Sequence, residues 1–560
     1  MLRFVLTNWL PLPYWDEWST PGAMFVSWCQ GTLSFADFFE QHNESRKVFP
    51  RLIYLTLAQI RGGWDVRKEI ALLFVTVCAI CALFYRLIRA TPGATTRAAL
   101  TAWIAATLLA FSPGQFENFL WGVQLEPFLV GCGVLAIAAV NTSGIPLVWK
   151  CVVNATIALL ATYTVANGML LWVLGLPLLA RGESLSRRKI YFAYAPYLVC
   201  AIAAIRFYFI GYNHPGHHPD LLPEGTRVLA LGHYLLLWVG SYFYSPHFDP
   251  LAIGAVASVA WLAALGATMR LILRGRSWRT FYPPLLIGAY ACVTACVTAF
   301  GRIGFGVNQA LDMRYRTFSL FFYLALLGLL FAIYCSCVRQ AGILRRRVFA
   351  VTCGILAVLA MSAWTSSYIA AAKHATVMYH RNLTLLRALE WVDVIPDNPD
   401  LLLIYPIIDQ LLERTRIVRE HKLLRLGFAE NRLLKQVRKP PPSDAADSFG
   451  RFDTCMFDPN HNLYITGWAW LPDRDRRADC VVIGCQDASG RFKPISVLET
   501  GVRRDDFSAE PGRRDAGFSR TFNPANVPAG DITIAAWGID VVNKKAYPLG
   551  GATRVAAGVR

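Results

Sequence analysis

The sequence predicts a mainly α-helical protein that crosses a membrane many times and ends in a small β-domain. Hydrophobic residues make up 55% of the 560 residues and charged residues only 16%, whereas about a quarter of a soluble domain is charged. After residue 450 the long apolar runs give way to short runs such as LYITGWAW and CVVIGC, which are typical of β-strands. This composition excludes a soluble, disordered or collagen-like chain.

The first 370 residues contain ten apolar runs that are candidates for membrane spans, each of which needs roughly 20 helical residues. We therefore expect a bundle of about 10–12 spanning helices, because only helices satisfy their own backbone polar groups in lipid. The residues before Pro13 are too few to span, which favours a first helix lost to a late start site over a lipid-dipping segment. The expected spans are 70–88, 98–111, 127–140, 147–164, 169–179, 190–210, 251–273, 281–300, 318–337 and 348–369.

Basic residues in the short connections give an expected orientation, since Lys and Arg collect on the cytoplasmic side. Residues 1–69, 112–126, 165–168, 211–250, 301–317 and everything after 370 then lie outside, and 228–244 lies along the outer face or re-enters the membrane. The prediction is a bacterial inner-membrane protein with a periplasmic C-terminal domain. The connections placed inside carry Arg86, Arg89 and Arg97; Arg181, Arg187, Arg188 and Lys189; Arg270, Arg274, Arg276 and Arg279; and Arg339 and Arg345 to Arg347.

The net charge of +18 fits such loops and anionic headgroups. We expect no nucleic-acid partner, because no basic face with interleaved aromatic residues occurs on a soluble part. The 14 cysteines form no paired framework, and the Cys78–Cys81 pair is interpreted as packing inside a span.

Three domains are expected. Residues 1–370 form the transmembrane domain with its outer loops, 371–442 form a basic helical segment and linker, and 451–560 form a β-sandwich. Within the middle segment, residues 413–439 are basic and amphipathic, which predicts helices on the outer membrane surface. Trp468, Trp470 and Trp537 could stack on sugar rings, although packing in the β-domain core is favoured.

Polar residues crowd into the outer segments, beginning with the first loop. Asp16 and Glu17 lie between Trp15 and Trp18, which as interfacial aromatics would hold the carboxylates near headgroup depth. A partly desolvated carboxylate is suited to accepting a proton from an attacking hydroxyl. Further along, Glu44 with His42 and Asn43 could complete such a site, and Arg46 and Arg51 could hold an anionic headgroup through paired N–H donors.

Three later outer segments add polar groups, so a purely solvated role for these loops is disfavoured. One offers Glu117, Asn118, Gln124 and Glu126, and a short turn offers Asn167. Another offers Arg302, Arg314, Tyr315 and Arg316, whose outside position runs against the charge rule and favours ligand binding. The histidines of HPGHHPD (214–220) are interpreted as surface residues rather than a metal site, and no metal ligands are assigned.

Four sequence blocks carry a family resemblance: the acidic pair 16–17, NESR…FPR in 43–51, ENFLWG…Q in 117–124, and GR…RY in 301–315. With them, residues 8–430 resemble the GT-C superfamily, multispanning glycosyltransferases that use polyprenyl-phosphate sugars. The resemblance implies that Asp16 is the general base, that Glu17 or Glu44 is a second acid, and that Arg302 and Arg314 bind the phosphate. It is compatible with a bridging Mg²⁺ or Mn²⁺ but requires no cofactor. The tail is similar to small β-domains of bacterial sugar-handling proteins.

The leading functional hypothesis is therefore an inverting membrane glycosyltransferase. It would move a sugar from a lipid-linked donor to a glycan, lipid or protein acceptor in the envelope. A transporter or flippase of lipid-linked saccharides and a non-catalytic envelope scaffold remain alternatives, although no inverted repeat is seen and ionisable residues collect at span ends.

Overall fold

The computed structural model describes residues 1–60, 62–177, 187–216, 218–219, 228–243, 245–339, 342–442, 447–459, 462–487, 489–507, 513–522 and 530–557. The chain divides into two compact units, each described by itself. The helical unit comprises Met1–Trp9, Thr32–Leu57 and Val66–Thr376, and the mixed unit comprises Leu10–Gly31, Ala58–Asp65 and Val377–Arg560.

The α-helices and strands alternate little along the chain: the helices come first and most strands follow. The α-helices are α1 Leu2–Asn8, α2 Asp16–Ser19, α3 Gly22–Cys29, α4 Phe35–Phe38, α5 Val48–Gln59, α6 Val66–Arg89, α7 Thr96–Ala110, α8 Phe116–Phe119, α9 Leu125–Thr142, α10 Leu147–Thr162, α11 Leu170–Leu174, α12 Arg187–Phe209, α13 Val228–Gly240, α14 Pro250–Leu273, α15 Tyr282–Arg302, α16 Met313–Ile333, α17 Ile343–Glu390, α18 Leu401–Ile404, α19 Ile408–Glu420 and α20 Asn431–Val437. The strands are β1 Gln41–His42, β2 Ser45–Arg46, β3 Gly450–Phe457, β4 Leu463–Leu471, β5 Arg476–Arg477, β6 Cys480–Gln486, β7 Phe492–Leu498, β8 Gly517–Phe522, β9 Gly530–Asp540, β10 Lys545–Pro548 and β11 Thr553–Ala557.

Long apolar helices dominate the helical unit and confirm the predicted multispanning bundle. Eight helical stretches in the described residues are long and apolar enough to cross a membrane, and two shorter apolar helices, Leu147–Thr162 and Val228–Phe243, accompany them. Of the most apolar 18 consecutive residues of Met313–Val338, the stretch that contains α16, 72% are buried. In α17 the corresponding share is only 6%. Helix α16 is therefore central, and the apolar side chains of α17 are left for lipid to cover.

One expected span differs from the prediction, and the structure defines more closely the segment that was expected to lie along the outer face or re-enter. The expected span 169–179 forms only the five-residue helix α11 as far as residue 177, and its last two residues lie outside the described residues. The segment expected along the outer face or re-entering, 228–244, forms α13, whose Tyr234 and Trp238 are fully buried. It packs inside the unit because Gly240 and Gly254 let the backbones of α13 and α14 meet closely.

The strands after residue 449 confirm the predicted β-domain. One sheet has the order β10-β9-β6-β7 with β11 also on β9, and the other contains β3-β4-β5 with β8 on β4. All these pairs are antiparallel. Inward side chains from both sheets, including Ile465, Ile483, Phe518 and Ile534, form one buried core, which is the arrangement of a two-layered sandwich.

Burial of side chains in the mixed unit tests two predictions from the sequence: the role of three tryptophans and the placement of residues 413–439. Trp468, Trp470 and Trp537 are 8%, 3% and 9% exposed, so they pack in the interior as the favoured alternative predicts. The expected membrane-surface role of 413–439 is wrong for its main apolar residues. Ile417, Val418, Leu423 and Leu424 of this segment are buried within the described protein and leave little apolar surface for headgroups.

Asp540 predicts a pH-dependent stability of the β-domain. Its buried carboxylate accepts hydrogen bonds from Asn543 N (2.9 Å), Asn543 Nδ2 (2.8 Å) and Arg474 Nη1 (3.2 Å). Burial alone would raise its pKa, but these donors outweigh burial and hold the pKa below its usual value. Because the folded pKa is the lower one, the stabilisation is present above about pH 4 and is lost as the pH falls through the folded value.

We expect Asp540→Asn to weaken amide protection in β9 at pH 7 by about 1–3 kcal/mol, and the difference from the native chain to shrink in acid. Hydrogen exchange of the whole protein in detergent, read by mass spectrometry, measures this. Asp505, whose side chain is 89% exposed, provides the control variant Asp505→Asn, which should change nothing. A pH-independent difference for Asp540→Asn would refute the assignment.

All fourteen cysteines are free thiols. Cys78 and Cys200 are exposed, and both lie on apolar helices of the membrane bundle. In the β-domain, burial raises the pKa of Cys455 to about 12 and also raises the pKa of Cys480 and Cys485. Few of these thiols are therefore both ionised and open to water.

Candidate functional site

A small hairpin presents Glu44 at one end of the helical unit. Strands β1 and β2 pair antiparallel, with His42 opposite Ser45, and the turn between them consists of Asn43 and Glu44. Asn43 has φ +50°, a left-handed conformation that Asn tolerates better than most residues. The predicted substrate residues His42 and Asn43 thus form part of the turn that projects the Glu44 carboxylate.

Arg46 fastens this hairpin to the end of α12, and its expected role in phosphate binding stays a prediction. Its guanidinium donates to the backbone carbonyls of Tyr208, Ile210 and Phe39. The first carbonyl belongs to the last turn of α12 and the second follows the end of the helix, where helical partners are lacking, so Arg46 acts as a C-terminal cap. The hydroxyl of Tyr208 donates in turn to the carbonyl oxygen of Glu44.

The carboxylate of Glu44 is held on one side. Its Oε1 contacts Nη2 of Arg302, which comes from the end of α15, and lies 2.9 Å from Nδ1 of His218. The Glu44 side chain is 35% exposed, whereas those of Arg302 and His218 are 18% and 8% exposed. Both contacts therefore fall on one oxygen of Glu44: Arg302 donates a hydrogen bond to it, and Nδ1 of His218 lies within ion-pair distance of it.

Arg302 also belongs to a wider group of phosphate-binding candidates. The buried hydroxyl of Tyr234 on α13 lies within electrostatic range of Arg302, Arg314 and Tyr315, and it has no hydrogen-bond partner among the described residues. Arg314 contacts Asp312 (Nη2 to Oδ2, 2.9 Å) and stacks over Tyr315. A buried hydroxyl that feels the charge of two guanidinium groups is suited to donate to an anion.

A buried ion pair lies next to the hairpin and was not assigned from the sequence. Nζ of Lys47 is 2.9 Å from Oε2 of Glu126, and these side chains are only 8% and 4% exposed. The hydroxyl of Tyr54 donates to Oε1 of Glu126 at 3.2 Å. The pair joins the chain after β2 to the start of α9, and it is costly to break because either charge alone would be buried.

The segment 112–126 is joined to the start of α16. Asn118 Nδ2 donates to Met313 O (2.8 Å) and Thr317 Oγ1 (2.9 Å), and Arg316 Nη1 donates to Gly114 O at 2.5 Å. Asn118 and Gln124 are buried, whereas Glu117 is partly exposed. Of the three predicted substrate residues here, Asn118 is therefore committed to holding two segments together.

The turn at Asn167 and the residue Arg51 complete the helical unit's predicted site residues. Asn167 Nδ2 donates to the hydroxyl of Tyr290 at 3.3 Å, and its buried Oδ1 has no partner among the described residues. The backbone nitrogen of Ala166 donates to Ser45 Oγ at 3.2 Å, so this turn touches the hairpin. Arg51 is 3% exposed and donates to the carbonyls of Phe38 and Glu40, which makes it a local anchor, and its expected binding of a headgroup stays a prediction.

Asp16 and Glu17 belong to the mixed unit. Glu17 is fully buried, and its Oε2 accepts a hydrogen bond from Tyr14 N at 2.8 Å, which ties it to the start of α2. Asp16 is partly exposed. Arg414 donates to Trp18 O at 2.6 Å and Trp15 N donates to Ile404 O at 2.8 Å, so the acidic pair is packed on α18 and α19. A shared site of Asp16 with Glu44 stays a prediction.

Three residues of this end of the helical unit escaped sequence reasoning. His218 was interpreted as a surface residue, which is wrong, because its side chain is 8% exposed and contacts Glu44. Tyr234 lies in an apolar run and Lys47 in a loop, and neither sequence pattern indicates a functional residue. For His218 the only available signal was that residues 214–220 and the hairpin were both expected on the outer side.

No group of three or more His, Cys, Asp or Glu residues that could hold a metal ion occurs in the part of the chain that the structure describes. Comparison with known proteins adds no assignment: no protein-family model, curated protein or solved structure matches the chain. The site must therefore be interpreted from its own chemistry.

Proposed function

We propose that the chain is an integral-membrane glycosyltransferase that moves a sugar from a polyprenyl-phosphate donor to an acceptor in the cell envelope. The observation that carries this proposal is the Glu44 carboxylate, which is 35% exposed and has Arg302 and His218 in contact with one of its oxygens. It lies at an end of an apolar helical unit, where an amphiphilic donor would present its phosphate and sugar to water.

The proposed reaction is an inverting displacement at the anomeric carbon. The acceptor hydroxyl gives its proton to a carboxylate as its oxygen forms the new bond to carbon. The bond between that carbon and the phosphate oxygen breaks, and polyprenyl phosphate leaves with the electron pair. Arg302, supported by Arg314 and Tyr234, would stabilise the charge that develops on the phosphate.

Glu44 and Asp16 are the two candidates for the base in this reaction. Glu44 has the fixed orientation that a general base needs, whereas Asp16 carries the family resemblance. Glu17 is less suited, since it is fully buried and bound to Tyr14 N. The acceptor, which is a glycan, lipid or protein, would approach from the aqueous side.

The membrane placement that accompanies the proposal is a bacterial inner membrane with this end and the β-domain on the periplasmic side. The Arg-rich connections after α6, α14 and α16 support it, because they lie at the helix ends opposite Glu69, Pro250 and Met313. The exposed apolar side chains of α12, α14 and α17 would face lipid and could also accommodate a prenyl chain.

The test is a transfer assay with the purified full-length protein in lipid vesicles. The probe is a synthetic short-chain polyprenyl-phosphate sugar with a labelled sugar, offered with envelope material from a strain that lacks the gene. Release of polyprenyl phosphate together with labelled acceptor supports the proposal. Intact donor that merely changes leaflet would instead indicate a flippase, and neither result would leave a scaffold role.

A further inference from the structure

We propose that His218 is a positioning residue that, together with Arg302, orients Glu44 for proton transfer, an inference that rests on the proposed function. His218 Nδ1 and Arg302 Nη2 both reach Oε1 of Glu44. Because the two contacts meet on one oxygen, they restrain the carboxylate and leave Oε2 as the oxygen for an acceptor. A single contact would restrain the group less.

Asn213, which precedes His218 in the chain, is hydrogen-bonded to the hairpin. Gln41 Nε2 donates to Asn213 O at 2.6 Å, and Asn213 N donates back to Gln41 Oε1 at 3.0 Å. The ring of His218 is also edge-on to Phe305, with centroids 6.3 Å apart. The contact of His218 with Glu44 therefore does not depend on a single surface ion pair.

The neighbouring His214 shows how different His218 is. His214 is exposed, and its ring centroid lies 6.4 Å from that of His218, whereas the side chain of His218 is 8% exposed. Charged or titratable groups near His218 include Glu44, which it contacts, and His214. Arg302 and Tyr212 face the same carboxylate. A histidine that is buried against a half-open carboxylate has a definite partner, which a solvated loop histidine lacks.

The chemistry assigns the proton to the second oxygen of Glu44. The acceptor hydroxyl would give its proton to Oε2, while the ring of His218 and the guanidinium of Arg302 stay against Oε1. His218 itself touches neither the sugar nor the phosphate in this scheme. Its loss should therefore slow the chemical step by misorienting Glu44, and should leave donor binding nearly intact.

The experiment compares His218→Ala, His218→Asn and the control His214→Ala in the full-length protein in vesicles. We expect His218→Ala to lower kcat about 10- to 100-fold with little change in the donor KM. Asn places its Nδ2 near the position of the lost Nδ1, so His218→Asn should recover most of the rate. His214→Ala should behave like the native protein.

A second readout does not require activity. A water-soluble carbodiimide with glycinamide labels accessible carboxylates, and mass spectrometry reports each site. His218→Ala should increase labelling of Glu44 several-fold while the exposed Glu40 stays constant, and His218→Asn should restore the native level. If His218→Ala folds, transfers sugar and labels like the native protein, the positioning role is overturned and the proposed function stands.

Other outcomes are also decisive. A change in Glu44 labelling without any transfer by the native protein would show a structural contact only, which overturns both the positioning role and the proposed function. A rise in the donor KM with unchanged kcat would assign His218 to binding instead. If His218→Ala does not fold, the His218→Asn variant decides, because a positioning role requires that it keep both rate and labelling.

Discussion

A Glu44→Gln variant should lose sugar transfer by about 10²- to 10⁴-fold, the usual contribution of a general base, while it folds and inserts normally. Glutamine keeps the shape of glutamate and can still accept hydrogen bonds from Arg302 and His218 through its amide oxygen. It cannot take up the proton of the acceptor hydroxyl. The measurement is release of polyprenyl phosphate by the purified variant in vesicles under saturating donor.

Glu40 offers a matched control on the same loop. It is exposed, so Glu40→Gln removes an equal charge near the site and should leave the rate within about twofold of the native protein. Asp16→Asn should be measured in parallel. If Asp16→Asn abolishes transfer and Glu44→Gln does not, then Asp16 is the base, and our assignment of Glu44 is wrong.

The second large effect is expected on stability, from Lys47→Met. Removal of the ammonium group takes away the positive charge that lies 2.9 Å from the buried carboxylate of Glu126. Breaking a buried ion pair in this way costs about 3–5 kcal/mol. The loss should appear as a clearly lower melting temperature of the full-length protein in detergent, followed by size-exclusion fluorescence or by intrinsic tryptophan emission.

Two comparisons separate this effect from general damage. The double variant Lys47→Met with Glu126→Leu replaces both charges by apolar groups, so it should recover much of the stability. Arg314→Met breaks an ion pair whose partners are 49% and 41% exposed, and should cost less than about 1 kcal/mol. A Lys47→Met protein as stable as the native one would contradict a buried, structure-determining pair.

The sequence predicted what composition and periodicity determine. Long apolar runs can only be helices in lipid, and this is why most expected spans coincide with long helices. Short runs rich in apolar and β-branched residues between turn residues, such as those of β4 and β6, are typical of strands, so the β-domain was also predictable. Glu44 and Arg302 were both selected as polar residues next to the membrane, but nothing in the sequence fixed their pairing.

The contacts that could not be predicted have physical reasons. Arg46 and Arg51 were selected as phosphate ligands, and both donate to backbone carbonyls, which depends on which chain ends fold nearby. The apolar residues of 413–439 were expected on headgroups, yet an amphipathic pattern does not say whether protein or lipid covers them. His218 and Lys47 acquire their partners from distant segments, and no local spacing encodes such contacts.

The native thiols have a practical consequence for establishing sidedness. A charged maleimide attacks ionised, water-exposed sulfur. Cys78 and Cys200, the two exposed cysteines, lie on helices that lipid would surround. A single reporter introduced at the exposed Ser34 or Ser277 would thus stand out over a faint background. The topology of each helix end can be mapped in intact cells without first stripping the chain of its own sulfur.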